Sequence, residues 1–213
     1  EAVEDAFSRE DTLYSIGSVV NHVLLHQTVI GLETKRQFER LGDYPDVLVS
    51  CLVGGSNFGG FTLPFFADAI HGKQVKFIAA QSQAAPNLQG EYRYDFADHA
   101  EITPLLKMYT LGHHAEMHPI RGDGLRYHGA APILSFLRHL GYLDTVAYPA
   151  DERHVFERAR TFVQTEGFLP APESAYSIAC AMDEALNCKE SGEEKAIAFN
   201  ISGHGFMDME GYS

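Results

Sequence analysis

The chain has 213 residues, 45% hydrophobic and 21% charged, with a formal net charge of −13. This length supports one domain with a sizeable core. The acidic balance, with no clustered Lys and Arg, excludes a nucleic-acid phosphate binder.

Apolar runs are broken by polar residues within a few positions, so no segment is expected to span a bilayer. No basic stretch followed by an apolar one marks a secretory signal. Cys51, Cys180 and Cys188 are odd in number and at no metal spacing, which reads as free core thiols in a reducing cytoplasm.

Residues 1–11 are acidic and polar and read as a solvated lead-in. From Thr12 to Arg40 the pattern is helical, with Ile16, Val19, Val20, Val23 and Ile30 on or near one face. Gly42-Asp43-Tyr44-Pro45 ends that element. A buried strand is expected over Asp46 to Val53, a helix over Asn57 to Ile70 and a strand over Val75 to Ala80. Residues 86–129 read as irregular, with one short helix at Pro104 to Tyr109. Tyr92, Tyr94 and Phe96 alternate as in a short edge strand. Helices follow over Ala131 to Leu140, Asp151 to Thr165 and Ser174 to Cys188. Strands are expected at Thr145 to Tyr148 and Lys195 to Ile201. The alternation predicts an α/β domain with a mostly parallel sheet and helices on both faces.

In such sheets ligands bind outside the carboxyl ends of the strands. Two strands here run into polar, glycine-rich loops: Val53 into Gly54-Gly55-Ser56-Asn57, and Ile201 into Ser202-Gly203-His204-Gly205. Unpaired N–H groups at a helix start, with the helix dipole behind them, suit a phosphate. Gly54 and Gly55 would let the backbone approach it, and Ser56 and Asn57 add side-chain donors. The loop is neither G-x-G-x-x-G nor a P-loop. Read on their own, these residues also fit a turn made for tight strand–helix packing. Ser202 equally fits a hydroxyl capping a turn, and Glu166-Gly167 the end of a helix.

Six stretches carry a resemblance: GSVVNHVLLHQTVIG (17–31), YPDVLVSCLVGGSNFGG (44–60), YTLGHH (109–114), GLRYHGAAP (124–132), EGFLPAPESAYSI (166–178) and NISGHGFMD (200–208). In this order they resemble the tryptophan synthase β subunit, most closely its divergent second, often stand-alone type. The resemblance implies a fold-type II enzyme using pyridoxal 5′-phosphate. It also implies a cytoplasmic β-replacement in which indole and L-serine give L-tryptophan and water. By motif, Gly54, Gly55, Ser56 and Asn57 would hold the cofactor phosphate, and Glu166 would lie beside the ring. Ser202 would meet the pyridine nitrogen, and Arg126 and His128 are candidates for the active-site rim. Where the family usually has a third glycine, Val53 stands here.

The family's Schiff-base lysine and substrate-carboxylate loop lie in its N-terminal half, and neither motif occurs in these residues. Lys35, Lys73, Lys76, Lys107, Lys189 and Lys195 have no matching context and read as surface residues. Residues 1–213 are therefore expected to be the C-terminal, large cofactor-domain portion, inactive alone, with a complementing N-terminal half or a homodimer as partner. Another fold-type II enzyme acting on serine or threonine, and a non-catalytic phosphate-binding module, are the alternatives.

No metal is expected. His113, His114, His118 and His128 lie close in sequence, but HEXXH is absent, and Pro119, Gly122 and Gly124 argue against one helix presenting them. His22 and His26, one turn apart, read as core histidines.

Overall fold

The computed structural model describes residues 2–212. In chain order the elements are α1 (Ala2–Phe7), α2 (Asn21–Leu41), β1 (Val47–Cys51), α3 (Ser56–Ile70), β2 (Lys76–Ser82), β3 (Glu91–Asp95), β4 (Leu106–Thr110), α4 (Pro132–His139), β5 (Asp144–Tyr148), α5 (Arg153–Glu166), α6 (Pro172–Ser191) and β6 (Ile197–Phe199). Strands β5-β2-β1-β6 form one parallel sheet, in that order.

All five residues of β1 are buried, because both faces of the sheet are covered. Alternation along the strand divides them. Leu48 joins Phe58, Phe65, Phe77 and Leu134 in a core under α2, α3 and α4. Val47, Val49 and Cys51 join Val155, Ala159, Ala175 and Ala179 under α5 and α6. The expected α/β architecture is the one found.

Three local expectations change. Residues 12–20 are not helical, and α2 starts only at Asn21. Its buried line is Leu24 and Gly31, seven apart, while Ile30 is exposed, as are His22 and His26. No helix forms over 104–109: residues 106–110 are strand β4, which pairs antiparallel with β3, Tyr92 opposite Tyr109 and Tyr94 opposite Lys107. The lead-in contains the short helix α1, of which Ala6 is buried.

Glycine sets how α2 meets α3. A Cβ on Gly31 would lie 2.3 Å from the Phe61 carbonyl oxygen, and one on Gly60 would lie 2.5 Å from Gln27 Cβ. Pro64, within α3, lacks the N–H that would bond the Gly60 carbonyl. That carbonyl faces α2, 2.9 Å from where a Cβ on Gly31 would sit. The glycines of GGSNFGG therefore divide their roles: Gly59 and Gly60 pack helix on helix, while Gly54 and Gly55 shape the loop before α3.

Candidate active site at the carboxyl edge of the sheet

Between β1 and α3 the chain turns through Gly54 and Gly55, and Gly55, with φ of 112°, is the N-cap. Only glycine adopts that conformation without strain. No side chain caps α3, so the N–H groups of its first turn, at Ser56, Asn57 and Phe58, have neither an intrahelical nor a capping partner. The loop is held from two sides. A Cβ on Gly54 would fall 1.8 Å from Ser18 Oγ, and one on Gly55 would fall 2.7 Å from Leu134 Cδ1. Ala131, the N-cap of α4, donates its N–H to the Gly54 carbonyl at 2.8 Å.

The preceding residue is fixed by Asn87, which is fully buried. Its Nδ2 lies within hydrogen-bond distance of three carbonyls: Val53 (2.9 Å), Gly129 (2.9 Å) and Tyr127 (3.1 Å). Its Oδ1 accepts from Gln81 Nε2 at 2.7 Å.

The Ser202 loop lies beside this one. Asn200 Nδ2 donates to Asn57 Oδ1 at 3.1 Å, and Asn57 Nδ2 donates to Ser50 Oγ at 3.0 Å. The Ser202 N–H donates to Ser174 Oγ at 3.0 Å, and the two hydroxyl oxygens are 3.2 Å apart. Ser202 itself is exposed. Beneath both loops lies Cys51, whose thiol burial pushes up to about 11, partly offset by hydrogen bonds with Ser177, Ser202 and Asn57.

The other expected residues are not in this network. Glu166 is the exposed last residue of α5 and borders a cavity of about 550 Å³ with Phe162, Ile178, Met182 and Phe199. No hydrogen bond joins it to either loop among the described residues. His128 lies inward of the surface. It is 5% exposed, and its Nε2 donates to the Phe96 carbonyl at 2.8 Å, with burial holding its pKa below the ordinary value. Arg126 bonds Asp123 at 2.6 Å and the Met117 carbonyl at 3.0 Å, and its Nε is buried without a partner.

Two cavities flank this edge or lie apart from it. One of about 350 Å³ opens beside the loop, between Ser18, Val53 and Tyr127. A larger one, about 1010 Å³, lies at the opposite, amino end of β1 among Lys35, Asp46 and Lys73, away from these loops.

The family model described as "Pyridoxal-phosphate dependent enzyme" matches residues 2–203. The chain belongs to the pyridoxal-phosphate-dependent enzymes. Solved structures of similar fold are a threonine deaminase from T.th. (TM-score 0.64, 17% identity, covering 88% of this chain and 55% of that one) and the L-serine ammonia-lyase of Rhizomucor miehei (TM-score 0.65, 15% identity, 92% and 56%). In sequence the chain is similar to tryptophan synthase beta chain 2 of Aquifex aeolicus, 57% identical over 217 residues, and of Methanosarcina acetivorans, 54% identical over 214. All of this chain is covered, and it spans 50% and 48% of those relatives.

Pyridoxal phosphate is the cofactor of this family, and the edge suits it. The uncapped N–H groups of α3 could hold an anion, and a Cβ at Gly54 or Gly55 would crowd the loop. Sequence reasoning singled out these loops and missed the residues that hold them, Ser18, Asn87, Ser174 and Asn200. Ser18, Ser174 and Asn200 stand inside the quoted blocks, but nothing in the spacing says what they touch.

Proposed function

We propose that this chain is the C-terminal half of a tryptophan synthase β-type lyase, contributing the cofactor's phosphate and ring contacts to the β-replacement of L-serine by indole. The observation that carries the reading is the hydrogen-bonded pairing of the uncapped α3 loop with the Ser202 loop, taken with relatives above 50% identity that bear that name.

When bound, the cofactor supplies an electron sink for bond-breaking at the amino acid's Cα. The N–H groups of Ser56, Asn57 and Phe58 and the α3 dipole hold its phosphate. Ser202 offers the ring nitrogen a neutral hydroxyl, which does not force a proton onto it and so favours elimination over transamination. By motif alone, Glu166 would supply a carboxylate for proton transfer. The reactive lysine comes from sequence outside this chain. Lys35, Lys76 and Lys195 are paired with Asp68, Glu184 and Glu193, while Lys73 and Lys107 lie over tyrosine rings.

Titration with pyridoxal phosphate, read by absorbance, tests the cradle. Saturable binding that excess inorganic phosphate and Asn57→Ala both weaken is expected, without an imine band. Absence of saturable binding would remove the site assignment. Tryptophan formation from indole and L-serine is expected only when a lysine-bearing N-terminal half is added. Formation by this chain alone would overturn the division of labour.

A further inference from the structure

The β3–β4 connection and the segment after β4 meet in a cluster that the cofactor reading leaves unused. Glu101 Oε1 lies 3.0 Å from His113 Nε2 and 3.7 Å from His114 Nε2. One ligand atom from each of the three residues lies within 4.8 Å of the others.

The protons make this arrangement informative. His113 Nδ1 is bonded to the carboxylate of Asp95, which is 1% exposed. Asp95 also accepts from Thr110 Oγ1 at 2.6 Å and from the Phe96 N–H at 3.0 Å, so it is held as an acceptor. Nδ1 of His113 therefore carries a proton, which leaves Nε2 as the ring atom that faces Glu101. Two acceptors at that distance repel unless a cation lies between them. A second proton on His113 would serve that pair and leave His114 unserved. A divalent metal serves all three.

The geometry and its support agree. Zinc–ligand bonds of about 2.0–2.1 Å in a tetrahedral site separate the ligand atoms by roughly 3.3 Å. The 3.0 and 3.7 Å separations fall on either side of that value. The buried Asp95 behind His113 is the carboxylate partner that metal-bound histidines commonly have. Asp98 fixes the loop bearing Glu101 by accepting from the N–H groups of Ile102 (3.0 Å) and Thr103 (2.9 Å) and from Thr103 Oγ1 (2.6 Å). His99 Nδ1 lies 3.2 Å from His114 Nδ1, on the far side of that ring.

We propose that Glu101, His113 and His114 bind one Zn²⁺ with an open fourth position, tying the β3–β4 connection to the segment after β4. Two nitrogens and one carboxylate oxygen suit zinc better than Mg²⁺ or Ca²⁺, which prefer oxygen ligands.

The test is titration of chelator-stripped protein with Zn²⁺ against a competing dye. Co²⁺ replaces it in parallel, with visible absorption reporting tetrahedral geometry. One equivalent per chain is expected, with Co²⁺ bands of tetrahedral intensity. Glu101→Gln and His114→Ala, both at well-exposed side chains, are each expected to weaken binding at least tenfold. Asp95→Asn, which keeps all three ligands, is expected to weaken it about tenfold. The double variant His22→Ala/His26→Ala, one turn apart on exposed α2, is expected to change nothing. The proposal is overturned by lack of stoichiometric binding, by unchanged affinity in both ligand variants, or by loss of binding in the α2 double variant.

Discussion

Asn200 and Asn57 are joined side chain to side chain at 3.1 Å, although 143 positions separate them. This bond links the end of β6 to the first turn of α3. Removing it leaves the Asn57 oxygen without its donor while the amide still bonds Ser50. A net hydrogen bond of this kind is worth about 1 kcal/mol. Asn200→Ala is thus expected to weaken pyridoxal phosphate binding roughly fivefold, measured by titration. Asn200→Asp, which turns an acceptor toward an acceptor beside an anion site, should weaken it further.

Gly31→Ala tests the α2–α3 seam. Alanine gains about 1 kcal/mol of helix propensity over glycine, but its Cβ would sit 2.3 Å from a backbone oxygen that cannot swing away. Overpacking costs about 1–3 kcal/mol, or more where backbone must move. Stability is expected to fall by a net ~1–2 kcal/mol, read as a lower urea midpoint. Gly17→Ala, where nothing lies within 4 Å, should leave it unchanged.

Asp68 ties the end of α3 to α2 through Lys35 at 2.6 Å, and it accepts from the Tyr44 hydroxyl at 2.5 Å. Burial pushes its pKa up, but the bonds from Lys35 and Tyr44 outweigh that and hold it below the ordinary 3.8. A depressed folded pKa gives stability that is present above the unfolded value and lost as pH falls through the folded one. Asp68→Asn is expected to cost about 1 kcal/mol near neutrality, given partial exposure. The cost should vanish as the wild type is acidified below the ordinary carboxylate value. Denaturant midpoints measured against pH check this, and two proteins that fail to converge in acid would refute it.

Cysteine reactivity should split sharply. Burial pushes Cys51 up to about 11 and Cys180 to about 12, and both are nearly inaccessible. Cys188 is partly exposed near the end of α6. At pH 8, iodoacetamide is expected to modify Cys188 alone in the folded protein, as read by peptide mass spectrometry, and all three thiols in denaturant.

The sheet was legible because β1 and β2 are short apolar runs closed by polar turns, and Gly42 and Gly167 do end α2 and α5 in left-handed conformation. The 104–109 stretch was not. Leu105, Leu106 and Met108 fit either period over so few residues, and the partner that decides for a strand, β3, lies across a loop. The start of α2 was overrun because apolar residues at 16–20 continue its spacing without belonging to the helix. At the site, glycine punctuation exposed both loops. The polar residues that hold them were hidden because their partners are distant: Asn87 reaches 34 positions back to Val53, and Ser202 reaches 28 back to Ser174. The burial of His128 was hidden too: a histidine in a polar, glycine-rich stretch gives no sign that its ring serves a buried carbonyl.

The order β5-β2-β1-β6 leaves the two outermost strands each with one unbonded flank. The flanks are unequal. β5 extends over five residues, while β6 has only three, beside the Ile178, Met182 and Phe199 groove. Backbone groups along such a margin are templates for a further strand. A polypeptide completing this sheet on the β6 side would cover apolar side chains with the same stroke that satisfies those backbone groups. On the β6 margin, unpaired backbone and apolar side chains therefore lie side by side.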